Sequence, residues 1–354
     1  MKKAIVAILL ICAGSTTILA QENTPRYTAS SQHYQVVSHV SQNHADTTSD
    51  ALEALFRFYN SYFHFDPSIL DTKMQVRVFS SNDAYVAYAS ELIDPPQDEY
   101  VYLHYTDPAR SQLIGWYEDS EDNQTAFSHQ AFIQFLRAFV PNPPLWMREG
   151  FAVYFEQSHY DIEFDSVSYK ENLAWLSTLK NALAADELDV ISPEQLVVMN
   201  TETASQQIED FYPRAWAMIS FLMHSPVREY NRILWDAISR LEASRTTEEN
   251  SRIISEKVFR WVEPATFRED FHFYLQTRRT FRDLVQEGVD LYAENKYGMA
   301  EQLFVRALNL QDSNYIPYYY LGLINYTRGN YTLADFYFNT ALDLGAEKAV
   351  ALYA

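Results

Sequence analysis

The sequence predicts an α+β domain, a small mixed sheet followed by a helical region, and after it an all-α array of helical hairpins. Three observations carry this reading. Strand-like segments are confined to the residues before 119. From Thr125 onward the apolar spacing is helical only. Residues 281–348 then repeat with a period of 34.

Within the first part, "HYQVVSHVS" at 33–41 and "MQVRVFSS" at 74–81 alternate as strands do, and "EYVYLHYTD" and "SQLIGWYED" are two more candidates joined by a turn near Pro108. Between the first two, Leu52, Leu55, Phe56 and Tyr59 have the spacing of one helix face; "SNDAYVAYASEL" reads as a helix capped by Ser81 or Asn82. Residues 21–31 are polar and read as a flexible lead, and 118–124 as a charged loop. A helix is expected over 126–140, ending before Pro141, and another starts at Pro144, a residue suited to a first helical position. Helical patterns continue through Trp175, Leu196, Trp216, Leu234 and Phe271.

Aligning 281–314 with 315–348 places Gly288 on Gly322, Tyr292 on Tyr326, Tyr297 on Tyr331, Ala300 on Ala334, Phe304 on Phe338, Ala307 on Ala341 and Leu310 on Leu344. This pattern resembles the tetratricopeptide repeat, in which small residues sit where two helices cross and large ones fill the gaps. The resemblance implies helices near 281–294, 297–310, 315–328 and 331–344, with "GAEKAVALYA" opening a closing helix. Two repeats are fewer than the three or so that make a stable stack, so the array needs support from the helices before 281.

The chain carries a net charge of −20. Phosphates would be repelled, which argues against nucleic acid and anionic membranes as partners. "MKKAIVAILLICAGSTTILAQ" reads as a secretory signal peptide cut after Ala20; its apolar run is too short to span a bilayer, and Ile11 disfavours lipidation at Cys12. Cys12 is the sole cysteine, so the mature chain has no disulfide and no thiolate for catalysis or metal binding. The expected organisation is a signal peptide at 1–20, a lead at 21–31, a main domain at 32–278 and the repeats at 279–354.

The segment "SHQAFIQFLRAFVPNPPLWMREGFAVYFE" at 128–156 holds the candidate site. It resembles the gluzincin-type zinc metallopeptidases, whose H-E-x-x-H helix supplies two zinc ligands and a general base and whose next helix supplies a glutamate as third ligand. "PLWMREGFAVYFE" is similar to that second helix, and "FYPRAWAMISFLMHS" at 211–225 also resembles the family layout. The resemblance, spanning roughly 33–230, implies a zincin-like fold and places His129 at the first ligand and Glu149 at the third. Gln130 then stands at the general base and Ile133 at the second ligand. An amide does not titrate and an alkyl group donates nothing to a metal. The motif is degenerate, and no catalytic residue and no bound metal are expected.

Read without the resemblance, Phe132, Ile133, Leu136, Phe139 and Val140 form an apolar stripe, Ile133 is core, and His129 is the natural partner of a buried Glu149. His104, Glu156, His159 and His224 are available as substitute ligands. No nucleophile elbow, P-loop or dinucleotide-binding glycine motif is present. The combined expectation is an exported, periplasmic or secreted, non-catalytic scaffold that binds a protein or peptide through the pseudo-peptidase cleft and the repeats. The alternatives are an active zinc peptidase with substituted ligands, with zinc as cofactor, and a carbohydrate- or wall-binding module. In the repeats, Tyr318 and Tyr326 are expected in the core, and Tyr319 and Asn325 toward a partner.

Overall fold

The computed structural model describes residues 25–93 and 99–346. The expected signal peptide, Cys12 and the closing segment after Ala346 lie outside these residues. The chain forms two compact units, one built from the residues up to Asn172 together with Ala182–His272, the other from Leu173–Asn181 and the residues from Phe273 on.

The first unit is α+β. Its five-stranded sheet contains Tyr27–Ser30 (β1), Tyr34–Ser38 (β2), Met74–Phe79 (β3), Val101–Leu103 (β4) and Gln112–Trp116 (β5), in the order β1-β2-β3-β5-β4. β2, β3 and β5 run parallel, while β1 and β4 pair antiparallel at the two edges. Helix Gln42–Phe63 (α1) crosses from β2 to β3, and Asn82–Ala89 (α2) follows β3. The side chains of Ser41 and Ser81 accept the His44 and Ala84 amides and so start these helices.

Next come Glu121–Phe139 (α3), Leu145–Phe155 (α4), a hairpin of Ser158–Asp161 (β6) and Ser166–Tyr169 (β7), and Ala174–Ala184 (α5). Pro193–Val198 (α6), Thr201–Gln206 (α7), Ile208–His224 (α8), Arg228–Ser239 (α9), Thr247–Lys257 (α10) and Pro264–Thr277 (α11) follow; most of α5 and the end of α11 belong to the second unit. The core between α1, α3 and α4 is aromatic: ring centroids of Tyr59 and Phe132 lie 5.0 Å apart, those of Phe132 and Phe155 5.1 Å, and those of Phe63 and Phe151 5.0 Å.

Three expectations are corrected. The flexible lead over 21–31 is in part a strand: Tyr27–Ser30 pairs with β2 from Tyr27↔Ser38 to Ser30↔Gln35, because β2 offers an open edge that a short polar segment can fill. The region after Thr125 is not only helical. The β6–β7 hairpin turns on aspartates: Asp161 Oδ1 accepts the Glu163 and Phe164 amides, and Asp165 takes a left-handed φ of 44°. The charged loop over 118–124 is half helix, since Ser120 caps α3 through the Asn123 amide and Glu121 and Asp122 favour its positive end.

In the second unit, Phe281–Ala293 (α12) pairs with Tyr297–Leu310 (α13), and Tyr315–Thr327 (α14) with Tyr331–Asp343 (α15). These bounds lie within a residue of those expected. Ala300 and Ala334 are buried. The same close approach recurs 34 residues apart: a Cβ on Gly288 would lie 2.8 Å from the Phe304 ring, and one on Gly322 would lie 2.6 Å from the Phe338 ring. Lys180 belongs to this unit and donates to Arg278 O at 2.6 Å and to Asp283 Oδ2 at 3.0 Å, at the capping box of α12. Leu173–Asn181 thus contributes the extra support that two hairpins require.

Ala300→Leu should overpack the first hairpin and lower stability by roughly 1–3 kcal/mol, whereas the exposed Val305→Ala on the same helix should change it by about 0.5 kcal/mol or less. Urea unfolding of the two variants checks this, and equal effects would contradict the crossing role of Ala300.

Candidate functional site

α4 is apolar on nearly every side: all its residues except Arg148 are buried, and Glu149 among them is 2 % exposed. Gly150 explains how α4 comes so close to α8. A Cβ at 150 would stand 2.4 Å from the Ala215 carbonyl oxygen. A carboxylate locked into such a helix must find partners.

It finds three. Arg148 Nε donates to Glu149 Oε1 at 2.7 Å. Tyr212, on α8, donates from its hydroxyl to Glu149 Oε2 at 3.3 Å. His129, on α3, brings Nε2 to 3.6 Å from the same oxygen, an ion-pair contact that leaves Nε2 buried without a hydrogen bond. The opposite nitrogen, His129 Nδ1, lies 3.3 Å from Glu156 Oε2, and Asn172 Nδ2 donates to the other oxygen of Glu156 at 2.7 Å. The ring is held between two carboxylates.

Burial works against a charged imidazole, but Glu149 and Glu156 outweigh it and raise His129 from 6.5 to about 9. Burial also works against the Glu149 carboxylate, and Arg148 with His129 overcomes it, bringing the group down to about 2. Tyr212 is pushed well up by burial and by Glu149, so its phenol keeps its proton and donates. The residues form a neutralised chain of buried charges.

The remaining motif positions have other tasks. Gln130 Oε1 accepts the Tyr102 amide at 3.0 Å and so closes part of the open edge of β4. Ile133 is 6 % exposed and packs in the core. Of the possible substitute ligands, only Glu156 reaches His129, and it does so on the nitrogen that faces away from Glu149. His159 bonds Gln157 at 3.4 Å, His224 meets the Tyr154 hydroxyl at 2.8 Å, and the His104 ring lies 6.0 Å from that of Tyr102. Among the described residues no group of three or more His, Cys, Asp or Glu side chains is arranged to hold a metal ion.

A zinc ion of the peptidase kind requires about three convergent protein donors. Among the described residues only His129 Nε2 and Glu149 Oε2 converge here; Ile133 offers no donor, the Gln130 oxygen is committed to β4, and a guanidinium already occupies Glu149. The residues present do not fit the ion. Arg148, Tyr212 and Asn172 are participants that motif reasoning passed over, although Arg148 and Tyr212 stand inside the quoted segments.

The expected partner-facing residues of the repeats are corrected in part. Asn325 is 2 % exposed; its amide donates to Leu321 O at 2.9 Å and its oxygen meets Asn330 Nδ2 at 3.4 Å, so it stabilises the turn between α14 and α15 and does not face a partner. Tyr319 is half-buried, its ring 6.1 Å from Phe338. Tyr326 is 51 % exposed, outside the core, and pairs with exposed Tyr331 at 5.5 Å.

No protein-family model matches the chain, and no curated protein matches it significantly. The chemistry of the site therefore rests on its own residues. Between pH 6.5 and about 9 the folded chain holds a proton on His129 that the unfolded chain has released, so stability should fall as the pH rises through this window. Below pH 4.5 the unfolded chain protonates Glu149 while the folded chain resists down to about 2, so stability should fall there too. Each limb should amount to on the order of 3 kcal/mol, at about 1.4 kcal/mol per tenfold change in proton affinity. Urea unfolding at pH 6.5 and 9.5 measures the alkaline limb; a His129→Asn variant that keeps the full slope would refute its assignment to His129.

Proposed function

We propose that this chain is an exported, non-catalytic scaffold that binds a protein or peptide, built on a gluzincin-like domain without a working metal centre and on two tetratricopeptide-like hairpins. One observation carries the reading: both nitrogens of His129 face carboxylates, and the positive charge beside Glu149 is Arg148. A protonated imidazole has no lone pair for a metal. Water at this place would have no Lewis acid, and Gln130 has no basicity to accept its proton. What is left is a buried junction of α3, α4 and α8 held by paired charges. The recurrent Gly–Phe approach at a spacing of 34 supports the tetratricopeptide reading, because the helix crossings of that repeat are built on such small–large pairs.

Purified mature protein should hold much less than one zinc per chain and cleave no peptide. Gln130→Glu combined with Ile133→His should recover zinc binding, since it adds a histidine one turn from His129. Elemental analysis and a peptidase assay on both proteins provide the check. Wild-type protein with one zinc per chain, and with peptidase activity that disappears in His129→Ala, would refute the reading and favour an active peptidase.

A further inference from the structure

In the first hairpin of the second unit, Tyr292, Tyr297 and Phe304 line a socket that α14 fills with one ring. The Tyr320 ring lies 5.2 Å from that of Tyr292 and stacks 5.1 Å from that of Phe304. Tyr292 and Tyr297 lie 5.3 Å apart. Beside them Leu321 and Ile324 of α14 are buried in one cluster with Ala300 and Phe304. Tyr292 and Tyr297 are half-buried as a result, and Phe304 is fully buried.

At a spacing of 34 the same three rings recur as Tyr326, Tyr331 and Phe338. Tyr326 and Tyr331 lie 5.5 Å apart, much as their counterparts do, and Phe338 packs over Gly322 as Phe304 packs over Gly288. Among the described residues no ring plays the part of Tyr320 here: Tyr331 is 65 % exposed, Tyr326 is exposed, and Phe338 is half-buried. The residue 34 positions beyond Tyr320 is Ala354, which has no ring. A hairpin that closes a repeat array ordinarily turns a polar face to water. This one turns three aromatic rings to it.

We infer that Tyr326, Tyr331 and Phe338 form a socket for an amphipathic helix of a partner protein, one that presents an aromatic ring followed by aliphatic side chains one and four residues later. That pattern is Tyr320, Leu321 and Ile324, the group that fills the twin socket built from the same rings. A second copy of this chain cannot supply it from α14, because its Leu321 and Ile324 are already buried in their own array. Edge-on and stacked ring pairs stabilise beyond the area they bury, and an aromatic anchor in a preformed pocket is how a helix docks in a groove. The site rests on reading the chain as a binding scaffold, which the zinc and peptidase assays test separately.

The probe is a fluorescence-labelled, lysine-flanked synthetic copy of residues 315–327, which carries the pattern, tested beside the same peptide with Tyr320→Ala. By fluorescence anisotropy, full-length mature protein should bind the first peptide one to one and the second roughly tenfold more weakly or worse. Tyr331→Ser should weaken binding of the first peptide to a similar degree and leave Tm unchanged, because the ring is exposed. Phe336→Ser removes another exposed ring, two residues from Phe338 and so on the other side of α15, and should bind as wild type does. No binding, equal binding of the two peptides, or equal weakening by Tyr331→Ser and Phe336→Ser overturns the socket and leaves the scaffold reading standing. Binding that emerges only after Leu352→Asp combined with Tyr353→Asp would put the chain's own residues in the socket and overturn its assignment to a partner.

Discussion

The placement of a carboxylate in the middle of α4 constrains this domain more than any other feature. An ion moved from water into a protein interior costs several kcal/mol even after relaxation. Glu149 is 2 % exposed, so that cost applies nearly in full. Its partners come from three helices: Arg148 on α4 itself, His129 on α3 and Tyr212 on α8. Satisfying Glu149 therefore fixes how α3, α4 and α8 sit against one another. The Gly150 approach to Ala215 and the aromatic layer of Phe132, Phe151 and Phe155 belong to the same arrangement. Apolar packing brings the helices together, and the charged group selects one register among those that packing alone would tolerate.

Gln130 and Ile133, on either side of Ala131 and Phe132 in α3, each carry structural work. Gln130 closes the backbone of an edge strand, and its oxygen is suited to that because it accepts without adding charge. Ile133 lies one turn from His129 and fills core volume where a second imidazole would need a polar partner. Glu156 and Asn172 hold the far side of the His129 ring. These residues form one connected set, so the effect of changing any of them depends on the others, and single substitutions are poor guides to the whole.

Much of the architecture was legible in the sequence wherever a strong local rule applied. The 34-residue period located α12 to α15 within a residue at each end, because recurrent small and large positions leave little freedom of register. The parallel strands showed as alternating or apolar runs. The His129–Glu149 contact followed from a motif and from the need of a buried carboxylate for a partner. What escaped were features set by distant neighbours. β1 is a strand only because β2 is beside it, and the β6–β7 turn uses aspartates where glycine would have signalled it. Asn325 and Tyr326 exchanged the roles expected of them because a helix face shows periodicity but not which polar group completes a turn. Arg148 and Glu156 are adjacent to or near Glu149 in sequence, yet only the folded chain shows that one faces Oε1 and the other the far side of His129.

The charge balance of the site can be followed group by group. A divalent ion held by His129 and Glu149 would bring two positive charges into this pocket, and Glu149 and Glu156 together require that number. The chain provides the same two charges by other means, a guanidinium on Arg148 and a proton on His129. The proton is favoured because both ring nitrogens look toward carboxylates, and the guanidinium because its neighbour in sequence is the acid it neutralises. With the positive charge already present, a metal entering between His129 and Glu149 must displace a proton and compete with Arg148 at the same carboxylate. Arg148, His129, Glu149 and Glu156 are therefore one electrostatic solution: two carboxylates offset by a guanidinium and a ring proton, all supplied from within the chain.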